Sequence, residues 1–113
     1  MKDGTTYKQG DIVLIPFPYS DLTGVKQRPA LIISNEMLNK TQDRICCLIT
    51  SNETGDGITI ENKHFRDRKL PFKSYVKPHR IFTVNENIIR KKLCNINNEF
   101  HKLIINKINS IIE

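Results

Sequence analysis

The chain has 113 residues, is 38% hydrophobic and 27% charged, and carries a formal net charge of +6. That length suits one domain with a small core and excludes two, and the apolar share excludes a disordered chain. No apolar run approaches the roughly 20 residues that cross a bilayer, and the first eleven residues lack a basic segment followed by an apolar one; the expectation is a cytoplasmic protein without a membrane segment.

The first residues read as a frayed tail ending in a turn at Gly10. Ile12, Val13, Leu14 and Ile15, stopped by Pro16 and Pro18, read as an enclosed strand. The stretch from Pro18 to Gln27 is rich in turn formers and reads as an exposed loop, closed by Arg28-Pro29. A second strand follows from Ala30 to Ser34, then a single helical turn within Asn35 to Lys40, and a third strand from Ile45 to Ile49. The cluster Thr50 to Gly57 reads as a turn, and Ile58 to Glu61 alternates like a half-exposed strand.

A basic loop from Asn62 to Lys73 precedes one long strand or two short ones between Tyr75 and Val84, where Pro78 implies an edge or a bulge. Finally Phe100, Leu103, Ile104, Ile108, Ile111 and Ile112 recur at steps of three and four, which sets them on one face of a helix with Asn97 or Asn98 as its cap. Several short strands followed by one helix give an α+β, mainly β, antiparallel and barrel-like domain. Chains this small leave apolar surface uncovered, which pairing into a dimer would bury.

Cys46, Cys47 and Cys94 are odd in number and in no metal-ligand spacing, so buried thiols are expected rather than a disulfide or zinc site. Charge is segregated. Residues 62 to 92 hold ten Lys or Arg against Asp67 and Glu86, a balance of +8, and the remainder sums to −2. Such a field attracts a polyanion, either nucleic acid or an acidic protein segment; a merely solubilising surface is the alternative.

There is no glycine-rich phosphate loop, no paired His on a helix and no nucleophile elbow, and His64, His79 and His101 are scattered. What remains is a set of cations and hydroxyls beside turns: Arg28, Thr50, Ser51, Lys77, His79 and Arg80. That set suits RNA cleavage by the neighbouring 2′-hydroxyl, in which the protein only moves protons and stabilises charge. A guanidinium clamps phosphate oxygens, a hydroxyl meets developing charge, and His79 alone has an ordinary pKa near neutrality. An arginine before a proline at a strand start is more often structural than catalytic, and a Thr at a strand end usually bonds only backbone; the residues alone leave both readings open.

The string Gly10-Asp11-Ile12-Val13-Leu14-Ile15-Pro16-Phe17, followed after a polar loop by Lys26-Gln27-Arg28-Pro29-Ala30-Leu31-Ile32-Ile33-Ser34, resembles the opening of PemK/MazF-like toxins. Leu48-Ile49-Thr50-Ser51 resembles that family's third strand, and Ser74 to Thr83 its late strand. The likeness spans about residues 8 to 112. It implies a curled antiparallel SH3-like barrel with a C-terminal amphipathic helix, a homodimer, and a metal-independent, cofactor-free endoribonuclease acting on single-stranded RNA as the toxin of a toxin-antitoxin pair, silenced by a cognate antitoxin protein.

By the same resemblance Arg28 is the residue of proton transfer and phosphate stabilisation, and Thr50 the hydroxyl that steadies the transition state. Lys77 and His79 stand where some relatives carry Arg and Asp; His79 is the third catalytic candidate, as a base in place of the carboxylate, with a plain surface residue as the alternative. Candidate RNA contacts are the cations Lys26, Arg66, Arg68, Lys69, Lys77 and Arg80, the polar Gln27 and Ser51, and the aromatics Tyr19 and Phe65 as stacking surfaces. Two other functions fit the fold: a non-catalytic RNA-binding module, and a toxin directed at DNA gyrase.

Overall fold

The computed structural model describes residues 7–18 and 25–113; the early tail and most of the first loop, with Tyr19, lie outside the described residues. The strands are β1 (Asp11–Pro18), β2 (Val25–Ile32), β3 (Asp43–Thr50), β4 (Ile58–Ile60), β5 (Ser74–Asn85) and β6 (Lys91–Asn95), with helices α1 (Glu36–Asn39) and α2 (Asn98–Ile112). They form one antiparallel sheet in the order β4-β5-β3-β2-β1-β6. The sheet curls into a half-barrel. Its two ends are stitched by the loop after β4: Phe65 bridges to Ile96, the Arg66 N–H donates to Asn95 O at 3.0 Å, and the Asn97 N–H donates to His64 O at 2.8 Å.

The sheet's two faces carry two cores. On one, Ile12, Leu31, Cys47, Ile49, Val76 and Cys94 meet Phe100, Ile104 and Ile108 of α2. On the other, Val13, Ile15, Ala30, Ile32 and Cys46 meet Val84 and Ile89, with Phe17 and Phe82 packed ring to ring at 5.5 Å. Period-two alternation divides neighbours between these faces, so Cys46 and Cys47 point into opposite cores. All three thiols are buried and unpaired with one another; burial pushes Cys46 and Cys47 up to about 12 and Cys94 up to about 11.

Four expectations change. Pro16 and Pro18 do not stop β1, which runs through them; β6 accompanies β1 only as far as Leu14, so a proline beyond that point breaks no ladder on that side. β2 begins at Val25 and ends at Ile32, which sets Arg28 inside a strand rather than at a loop junction. β6, unforeseen, is mostly polar and offers only Leu93 and Cys94 as apolar signal. The stripe on α2 is wider than its buried face: Phe100, Ile104 and Ile108 are buried, whereas Leu103, Ile111 and Ile112 are exposed.

The expected cap of α2 and the expected helical turn after β2 are both present. Asn97 caps α2, its Oδ1 accepting the Phe100 N–H at 2.8 Å. Asn35 caps the single turn α1. Arg44, wholly buried, donates to Tyr7 O, Thr41 O and Asp43 O and pairs with Glu86 at 3.1 Å, tying three chain segments together. No helix among the described residues is long and apolar enough to cross a membrane.

Candidate active site

β2 and β3 pair Ile32 with Cys46, Leu31 with Cys47 and Ala30 with Leu48. Arg28 and Thr50 each lie two residues beyond the last of these pairs, Ala30 and Leu48. Ala30, Ile32 and Cys46 belong to the second core, so by alternation Arg28 and Thr50 rise from that face, at the end where the apolar cluster stops. Both are half-buried. Thr50 Oγ1 accepts the Asn52 N–H at 3.1 Å, the local bond expected of a Thr at a strand end, and its own proton is not used by that bond.

β5 adds a cation to the same face. Thr50 pairs with Tyr75 and Leu48 with Lys77, but Cys47 pairs with Ile81, so the register breaks and Pro78, His79 and Arg80 bulge out of the ladder. A bulge re-aims side chains, and proline is tolerated there because it forgoes a ladder bond. His79 and Arg80 are thereby exposed, while Lys77 remains nearly buried.

The turn between β3 and β4 closes over this corner. Gly55 adopts φ +89°, which favours glycine, and a Cβ on Gly57 would lie 2.9 Å from Tyr75 Cβ, so glycine lets the turn lie flat on β5. Asp56, between them, is brought onto Lys77: Nζ donates to Asp56 Oδ1 and Thr54 Oγ1, each at 2.5 Å, and the Thr54 hydroxyl donates to Asp56. The other carboxylate oxygen lies 3.6 Å from His79 Nε2. The Lys77 hydrogen bond, followed by that of Thr54, pulls the Asp56 carboxyl down to about 2. A nearly buried ammonium needs a counter-charge, and Asp56 supplies it.

Lys77, Asp56 and His79 therefore meet on the strand next to Thr50, and Arg28 lies on β2, on the same sheet face by alternation. Ser51 and Arg80 are exposed beside them, and Lys26 and Gln27 lie exposed on β2 just ahead of Arg28. Phe65, Arg66, Arg68 and Lys69 stand apart, on the loop beyond β4; Phe65 packs against the first core, and the other three are exposed. His64 stacks on Phe100 at 3.9 Å and His101 is buried in α2, so neither belongs to this corner. Asp56 and Thr54 escaped sequence reading because Thr54-Gly55-Asp56-Gly57 carries the composition of any polar turn; only the fold sets them beside Lys77. Among the described residues, no three His, Cys, Asp or Glu cluster in a way that would hold a metal ion.

Residues 8–112 match a family described as PemK-like, MazF-like toxin of type II toxin-antitoxin system. No curated protein matches the sequence. Among solved structures, the chain is similar to a MazE-MazF complex from Deinococcus radiodurans (20% identity, 95% of this chain and 96% of that chain covered, TM-score 0.77). It is also similar to an endoribonuclease in complex with its cognate antitoxin from Mycobacterial species (19%, 95% and 92%, TM-score 0.66) and to the Mycobacterium tuberculosis toxin MazF-mt6 (14%, 88% and 93%, TM-score 0.69). At these identities the likeness shows the fold.

Proposed function

The chain belongs to the PemK-like, MazF-like toxin family of type II toxin-antitoxin systems, and from that premise we propose that it is a metal-independent endoribonuclease that cuts single-stranded RNA. The observation that carries this reading is the corner in which Lys77, Asp56 and His79 meet beside Thr50, with Arg28 on the same sheet face by strand alternation. In the reaction the 2′-oxygen bonds to the adjacent phosphorus as the bond to the 5′-oxygen breaks, leaving a cyclic phosphate and a 5′-hydroxyl. One proton leaves the 2′-hydroxyl and one reaches the departing oxygen.

Arg28 clamps the non-bridging oxygens with its fork, and the Thr50 hydroxyl donates to the charge that grows there; both act by electrostatic preorganisation. His79 takes the 2′-hydroxyl proton as general base. Asp56 faces its Nε2 and so leaves Nδ1 as the accepting nitrogen. Asp56 also neutralises Lys77. An antitoxin that binds this chain is supported by the antitoxin complexes among the similar structures. A second copy of the chain would cover the exposed apolar Leu103, Ile111 and Ile112 of α2.

The test is incubation of purified protein with mixed-sequence single-stranded RNA in EDTA. Cleavage is expected, reduced by about a hundredfold or more in Arg28→Ala and in Thr50→Ala, the scale of removing one transition-state donor, while both variants keep the native circular dichroism. RNA binding without cleavage by the unaltered protein would replace this reading by a non-catalytic one.

A further inference from the structure

Beyond β4, the loop that stitches the sheet ends leaves an open groove of about 850 Å³, lined by Thr59, Phe65, Arg68, Lys69, Phe72 and Lys73 among others. The groove is built rather than frayed. Its loop is held by the Phe65–Ile96 bridge, by the Arg66 N–H on Asn95 O, and by Asn97 Nδ2 donating to Lys63 O at 3.0 Å. Leu70 packs against the first core from the same loop. The Ser74 hydroxyl donates to Phe72 O at 3.0 Å, fixing the backbone that carries a ring 64% exposed to solvent.

Its position relative to the candidate active site follows from strand register. Thr59 pairs with Tyr75, and Tyr75 with Thr50; paired residues share a face, so Thr59 lies on the face of Thr50, two strands away. At about 4.8 Å per strand the near wall of the groove is roughly 10 Å from Thr50; Ile60, Phe65 and Leu70, which pack with the first core, form the rest of that wall, so the groove opens at the β4 edge of the sheet.

We propose that this groove is a second nucleotide subsite, in which a base flanking the cleaved bond stacks on Phe72 while Arg68, Lys69 and Lys73 hold the phosphates beside it. Single-strand binders combine an aromatic platform with a cationic track in this way. The exposed Phe72 ring favours RNA over an acidic peptide, because a base offers a face to stack on it, whereas Glu61 and Asp67, which also line the groove, repel either polyanion. The inference rests on the reading of the protein as an RNA-cleaving toxin and adds a substrate contact outside the reacting centre.

Binding is measured by fluorescence anisotropy with labelled RNA that is 2′-O-methylated throughout, so that the unaltered protein cannot cut it. One probe has about twelve nucleotides and one about four, within the span of single-strand site sizes. Phe72→Ala is expected to weaken the longer probe about fivefold or more, the loss of one base–aromatic stack. Phe72→Trp is expected to restore it, and neither change affects the shorter probe. Phe72 is exposed, so both variants should fold, which their melting curves would check. Equal binding of the longer probe by the unaltered protein and Phe72→Ala overturns the subsite and leaves the nuclease reading standing. A Phe72→Ala effect confined to an acidic peptide assigns the groove to a protein partner and overturns it too. Failure of the unaltered protein to bind either probe instead removes the RNA reading itself.

Discussion

One carboxylate, that of Asp56, meets Lys77 through one oxygen and His79 through the other. Its folded pKa of about 2 lies below the ordinary 3.8, so its contribution to stability is complete above the ordinary value and is lost as pH falls toward the folded one. The stability difference between the unaltered protein and Asp56→Asn should therefore be constant above a pH of about 4 and shrink between there and about 2. Urea denaturation across that range reads it, and a difference independent of pH would mean that the carboxylate is not charged against Lys77. Arg28 and Thr50 were singled out in the sequence because each sits in a recognisable string, and strand alternation sets both on one sheet face. Asp56 was not legible, since an acid between two glycines is ordinary turn chemistry and acquires a role only when the turn folds onto β5.

The helix α2 shows what periodicity can and cannot say about an element. Spacing located it and its Asn97 cap, but spacing alone does not say how much of an apolar stripe the sheet covers. Ile104→Ala, from a fully buried site, should cost about 2–5 kcal/mol. Leu103→Ala, from a site 48% exposed, should stay within about 0.5 kcal/mol. Chemical denaturation distinguishes them, and equal losses would mean that a second copy of the chain covers Leu103. Strand β6 failed to show in the sequence for the complementary reason. It is an edge strand with one fully buried side chain, Cys94, and backbone pairing with β1 defines it more than hydrophobic pattern does.

Across the whole molecule, curling converts a stretch of basic sequence into a surface. Cations of the loop after β4 and of β6 come from opposite ends of the strand order, yet Arg68 and Lys92 both act on the Cys94 thiol, and the loop is bonded to the end of β6. RNA affinity should fall steeply with salt, by roughly 0.7 decades per decade of salt for each phosphate neutralised. Changing Lys91 and Lys92 together to Gln should flatten that slope if β6 takes part. Binding that does not respond to salt would exclude the basic face as the RNA surface. The sequence by itself determined the apolar alternation of the strands, the helix that follows them, the buried thiols and the strings that carry Arg28 and Thr50, because these depend on local pattern. Only the tertiary structure decided the register break that turns His79 outward, the turn that neutralises Lys77 with Asp56, and the groove under Phe72. Each joins residues distant along the chain, and sheet curvature, set by all six strands together, brings them into contact.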